Sequence, residues 1–254
     1  MKQIYKLCVL YLLILLINSC TSISSKSNCS PKEKKNAETN VQLGIEYMRR
    51  ERNDIALQRF KKALKFCPSF AKGHNAIAVL YERVRETEKA ELHYKQALKY
   101  DPENSDINSN YGQFLCQLNK WEQAEKHFLL AISDPVYRIP EVPYTNAGMC
   151  ASYNQEIDKA EEYFRKALQN NARFPRALYQ MSLLKYKQNH YPQANDYLLR
   201  YLKIAKHTSQ TLWLGIRIEK ALNNRDKEAS YILLLRKNFP DSTEIQMLNQ
   251  KNYY

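Results

Sequence analysis

The chain has 254 residues, 26% charged and 11% aromatic, with a formal net charge of +13. This is the composition of a folded protein of one or two domains rather than of a disordered chain. Five glycines leave almost no material for glycine-rich phosphate loops or glycine-turned hairpins. The 39 Lys and Arg lie dispersed among 26 acids with no long run of like charge. That is the pattern of a solvated basic surface, not of a nucleic-acid track.

Taken from the N-terminus, Lys2 and Lys6 precede an unbroken apolar run from Leu7 to Ile17. A membrane-spanning helix needs about 20 apolar residues, so residues 1–19 read as a signal peptide. Ile17-Asn18-Ser19-Cys20 resembles a bacterial lipobox, with a branched apolar residue, a small residue before the cysteine, and the cysteine itself. Asn18 departs from the small or hydroxylated residue usual at its place. The resemblance implies cleavage between Ser19 and Cys20 and a covalent lipid on Cys20, with no other cofactor. Two or more acyl chains there would anchor the protein stably. Thr21, which is not aspartate, implies sorting to the Gram-negative outer membrane, facing the periplasm. Residues 20–36 are rich in Ser and Lys and are expected to form a flexible tether.

From there the chain repeats itself. DIALQRFKKALKFCPS, KAELHYKQALKYDPEN, QAEKHFLLAISDPVY and KAEEYFRKALQNNARF share a small residue, an aromatic four later, and a second small residue three after that. The leading alanines are Ala56, Ala90, Ala124, Ala160 and Ala194, with steps of 34, 34, 36 and 34. This is the tetratricopeptide period of about 34 residues. The fold expected is all-α, a right-handed superhelical solenoid of about six repeats, because neither helix of a repeat buries its face alone. The repeats run 37–70, 71–104, 105–140 with a Pro-rich insert, 141–174, 175–208 and a degenerate sixth unit at 209–243. A tail at 244–254 follows. In the sixth unit Ala229, 35 residues after Ala194, takes the small position.

Cys29, Cys67, Cys116 and Cys150 form no CxxC pair, which argues against zinc or thioredoxin-like chemistry. Cys116 and Cys150 fall on successive repeats, but buried free thiols are the expectation for them. The histidines sit in no metal-ligand or catalytic spacing; His93 and His127 share a phase and are expected as neighbours on a surface ladder. No enzyme, no metal and no small-molecule substrate is indicated.

Binding remains. In a tetratricopeptide superhelix, positions 2, 5, 9 and 12 of each first helix line the concave groove. Val41, Ile45, Met48 and Val79 are the expected main contact, with Met149, Tyr153, Tyr179 and Leu183 further along. Apolar residues at these places suit an extended or helical peptide. A carboxylate clamp of the chaperone kind is disfavoured in the first repeat, where Val41 and Ile45 replace the basic and amide residues it requires.

NAGMCASYNQEIDKAEEYFRKAL, RALYQMSLLKYKQNHYPQANDYLLRYL and LWLGIRIEKALNNRDKEASYILLLRKNFPDS, with the lipobox start and the proline-bearing insert, resemble the type IV pilus biogenesis lipoproteins, the secretin pilotins. The resemblance runs from about Asn36 to Ser242. It implies an outer-membrane lipoprotein that binds the pilus secretin and promotes its localisation and multimerisation. The alternative is a repeat lipoprotein serving as adaptor or regulator in cell-wall synthesis or outer-membrane protein assembly.

Overall fold

The computed structural model describes residues 29–250. The signal segment, Ser19, Cys20, Thr21 and the last four residues lie outside them. The described residues form thirteen α-helices and no strand. They are α1 (Pro31–Arg49), α2 (Asn53–Phe66), α3 (Ala71–Arg83), α4 (Thr87–Tyr100), α5 (Ser105–Gln117), α6 (Trp121–Ile132) and α7 (Glu141–Tyr153). There follow α8 (Ile157–Asn170), α9 (Pro175–Lys187), α10 (Tyr191–Leu202), α11 (Ser209–Ala221), α12 (Arg225–Asn238) and α13 (Thr243–Asn249). The first twelve pair in sequence as six helical hairpins, each stacked on the next.

The hairpins close because the repeating small residue meets the repeating aromatic. Ala56, Ala90, Ala124, Ala160 and Ala194 are all buried, and so are Phe60, Tyr94, Phe128, Phe164 and Leu198, four residues on. The facing helix has to be small where the ring crosses it. A Cβ on Gly148 would stand 2.6 Å from the Phe164 ring.

Each hairpin turn carries one residue at positive φ: Glu51, Arg85, Asn119, Gln155, Asn189 and Asn223, at φ 57–63°. The next N–H reaches back to a carbonyl in the last helical turn, as Arg52 to Tyr47 (2.9 Å) and Glu156 to Ala151 (2.9 Å). This is the Schellman closure of a helix end, built without glycine. The turns repeat at 34, 34, 36, 34 and 34 residues, so they measure the period independently of composition.

That measure corrects the sixth unit. Asn223 lies 34 after Asn189, which puts Glu228 in the small position and Ile232 and Leu235 on the inner face. Ala229 is exposed, turned by one residue, about 100°, away from the core. The two ends are also longer than expected. The first helix begins at Pro31, not at 37, behind a Ser30–Glu33 capping box, so residues 31–36 are helix rather than tether. At the other end α13 is helical and capped by Ser242, with Leu248 buried beside Leu212 and Ile216, where a tail was expected.

The four cysteines among the described residues are paired. Cys29 joins Cys67 and Cys116 joins Cys150, with Cα–Cα distances of 5.6 and 5.8 Å. The expectation of free thiols at Cys116 and Cys150 is therefore corrected. Parallel stacking brings α5 and α7 side by side, and the bond spans the step between them.

A polar rung ties most hairpins to the next, through the residue just after the buried alanine. Glu91 meets Lys120 (3.5 Å), Glu125 meets Lys159 (2.7 Å) and Tyr163 (2.6 Å), and Glu161 meets Lys185 (2.6 Å). At the last step the equivalent places hold Asn195 and Glu219. There the Asn195 Oδ1 and both Glu219 carboxylate oxygens are buried without a hydrogen-bond partner.

Candidate functional site

The concave face is built from α1, α3, α5, α7, α9 and α11, and the 34-residue period carries positions 2, 5, 9 and 12 onto it at every step. Its N-terminal end differs from the expectation. Val41 is only 3% exposed, packed in a core cluster with Ala37, Ala76 and Ile77. The neighbouring α3 covers it, so it is a core residue and not a contact. Ile45 and Met48 are half-buried against the same cluster, and Val79 packs on the central core. Met149 and Tyr179 pack on that same central core, whereas Ile45 and Met48 belong to the N-terminal cluster.

Between α3 and α7 the face is polar and internally bonded. Asn110 Nδ2 donates to Asn75 Oδ1 (3.3 Å), and Asn146 Nδ2 to Ser109 Oγ (3.3 Å). Glu82 accepts from Tyr94 (2.7 Å) and Gln117 (2.9 Å). Burial pushes the Glu82 carboxyl up, against the lowering effect of those two bonds.

The C-terminal half is aromatic and cationic. Met149 and the 65%-exposed Tyr153 share a cavity of about 110 Å³ with Gln113, Asn146 and Arg176. Arg176 also lines the next cavity, about 360 Å³, with Tyr179, Tyr201 and Gln210. Leu183 and Tyr186 pack against the core cluster of α10 and α11. Trp213 and Arg217, unnoticed in the sequence, continue the face on α11. The Arg217 guanidinium lies 4.8 Å from the Tyr186 ring centroid and 5.5 Å from that of Trp213. Extending the same 34-residue positions into the sixth unit finds both residues.

A larger cavity, about 690 Å³, opens between α6 and α7–α8, where the 36-residue step falls. Its central acid, Glu125, is already bonded by Lys159 and Tyr163. The concave face, with unpaired groups, is the better binding surface.

Three of the histidines, His74, His93 and His127, are held in internal hydrogen bonds. His74 Nδ1 lies 3.2 Å from His93 Nδ1, and His74 Nε2–H donates to the Pro68 carbonyl (3.0 Å). His127 bonds Asn108 (2.8 Å), so the expected His93–His127 ladder is replaced by two separate pairings. Burial, the positive neighbours His74 and Lys61 bring His93 down to about 4. Among the described residues no group of three His, Cys, Asp or Glu side chains is arranged to hold a metal, and no helix is long and apolar enough to cross a membrane.

Comparison with known proteins places this scaffold. Tetratricopeptide-repeat family models match residues 83–134 and 143–174. The type IV pilus assembly protein PilF of Pseudomonas aeruginosa is 31% identical over 206 residues, covering 81% of this chain and 82% of that protein. The solved structure of Pseudomonas aeruginosa PilF superposes with a TM-score of 0.74 at 31% identity, covering 85% of this chain and 98% of that one. The crystal structure of PilW, described as a widely conserved type IV pilus biogenesis factor, gives 0.76 at 30% identity over 84% and 97%. These proteins are interaction scaffolds and not enzymes. On this likeness, which spans nearly the whole repeat array, the chain belongs to the PilF/PilW family of tetratricopeptide-repeat proteins of type IV pilus biogenesis.

Proposed function

We propose that the protein is an outer-membrane lipoprotein, anchored through a lipid on Cys20, that binds the type IV pilus secretin and promotes its localisation and multimerisation. The observation that carries this reading is the family relationship over the full array, joined to a concave face that keeps unpaired polar and aromatic groups. The two disulfides support an oxidising compartment, where such bonds persist. Cys29 lies nine positions after Cys20, and an extended chain spans at most about 3.6 Å per residue. A lipid on Cys20 therefore holds the first repeat within about 30 Å of the membrane surface. Bound secretin subunits share that address, and confinement raises their effective concentration for ring assembly.

The test is a blot for heat-resistant secretin multimers in membrane fractions of wild-type, deletion and Cys20→Ala strains. Deletion should remove the multimers. Cys20→Ala should leave a folded protein that fails to deliver secretin to the outer membrane. Unchanged multimers in the deletion strain would refute the reading.

A further inference from the structure

The geometry points to a carboxylate-binding site on the concave face, made by Arg176 with Asn146, Gln113 and Tyr153, that receives an Asp or Glu side chain of an extended partner segment. It rests on the proposal that a protein partner occupies this face. Four observations lead there.

First, among the described residues Arg176 has no carboxylate at ion-pair distance; its electrostatic neighbour is the Tyr153 hydroxyl. Surrounding protein displaces part of the water from its guanidinium and moves its pKa below the ordinary arginine value. The guanidinium stays in reach of solvent, and a carboxylate with bidentate reach would give it charge-assisted hydrogen bonds that it lacks within the described residues.

Second, Asn146 is only 6% exposed, lines the same cavity, and its Oδ1 has no donor. Rotating the amide would keep the bond to Ser109 and leave the NH₂ unpaired instead. One polar atom of Asn146 is left over in either orientation.

Third, the cavity holds about 110 Å³, enough for a carboxylate and its methylene stem but not for a large side chain. Its other walls are the apolar Met149 and Phe128 and the amide of Gln117, which is already bonded to Glu82, and Cys116 and Cys150 are bonded to each other beside it. That bond joins α5 to α7, two of the three helices that form the site, and sets their spacing before a ligand arrives.

Fourth, the groove continues on both sides, to Asn75 and Asn110 in one direction and to Tyr179, Tyr186 and Trp213 in the other. A segment passing through the site meets further contacts at both ends, which favours an internal residue over a chain end. The second cation, Arg217, has a buried unpaired Nε and lies on that path.

The probe is a set of capped overlapping peptides of about 15 residues, which extended would span the groove, covering the periplasmic part of the secretin. Binding to the intact protein is read by fluorescence anisotropy. The peptides bound should contain Asp or Glu, and replacing that residue by Gln or Asn should weaken binding about ten- to a hundredfold. Arg176→Gln should produce the same loss and no further loss with the neutral peptide, since the two changes remove one contact. Arg176→Lys should recover part of it, and ionic strength of about 1 M should weaken wild-type binding. Arg176 is exposed, so unchanged melting of the Arg176→Gln variant checks that the fold is kept.

Equal affinity for acidic and neutral peptides, or binding only by uncapped chain ends, overturns the assignment. If wild-type and Arg176→Gln proteins bind intact secretin equally, the site is wrong while the secretin reading stands. If the wild-type protein does not bind intact secretin, the functional reading fails first and this proposal with it.

Discussion

Consider the bond between Cys29 and Cys67. It joins the residue before the Ser30 cap of α1 to the residue that ends α2, and so encloses the first hairpin in a loop of 38 residues. In the chain-entropy account, closing such a loop removes about 13 cal/mol/K from the unfolded ensemble, or about 4 kcal/mol at 25 °C. This matters more here than in a globular core. In a stacked array each unit is held by its neighbours, and α1 has no described repeat on its outer side. Its anchors are the buried Ala37, Val41 and Gly44 against α2 and α3. The perturbation is the double variant Cys29→Ala/Cys67→Ala, which leaves Cys116–Cys150 intact as a reductant would not. Native-state hydrogen exchange is the assay, because an array need not unfold in one step. Amides of α1 and α2 should lose protection by roughly 10³-fold, the equivalent of 4 kcal/mol, while those of α7 to α10 keep theirs. A loss of less than about tenfold in α1 would refute the reasoning, and would mean that packing on α3 alone holds the first hairpin.

Further outcomes follow from the same structure. At Gln155 (φ 63°) a side chain is held in the left-handed region, which costs about 1–2 kcal/mol. Gln155→Gly should raise the melting temperature, and a fall would place other contacts of Gln155 above the backbone cost. Glu219 is 1% exposed with both carboxylate oxygens unpaired; Glu219→Gln should stabilise by about 1–3 kcal/mol in denaturant unfolding. The His74–His93 pair is depressed below its unfolded value of about 6.5, His93 to about 4. The unfolded chain binds protons first, so the pair's contribution is present above about pH 6.5 and is lost as pH falls towards 4. Lys61 from α2 and the rings of Tyr81 and Tyr100 face the pair, and none supplies a compensating negative charge. The melting temperature should drop across that window, and His93→Gln should flatten the profile; an unchanged slope would assign the drop elsewhere.

The helices, their pairing and the number of hairpins were legible because they follow from short-range rules. An alanine and an aromatic four apart put a small and a large group on one helix face, and a step of 34 repeats the arrangement until it stacks. The family was legible in another way, through the resemblance of particular segments, the LWLG stretch, the NFPDS ending and the proline-bearing insert among them. At two places the sequence reading went astray because a local signal was outweighed by composition or by residue type. Ser30, Pro31 and Glu33 are a cap signal, but the Ser/Lys-rich composition around them reads as a tether. Ala229 looks like the next small residue, yet turn spacing assigns that place to Glu228.

What the sequence determined by itself, then, is the repeat, the all-helical solenoid and the kind of protein it makes. Which face of a groove residue is free was settled only by tertiary structure. Val41 stands at a groove position by spacing and Tyr153 beside one, but α3 buries the first and the second stays largely exposed. The disulfides and the meeting of Arg176 with Asn146 are of the same kind. They join residues about a repeat apart, and their geometry depends on how far each hairpin rotates against the last, a quantity set by the summed packing of many side chains and not by any one of them.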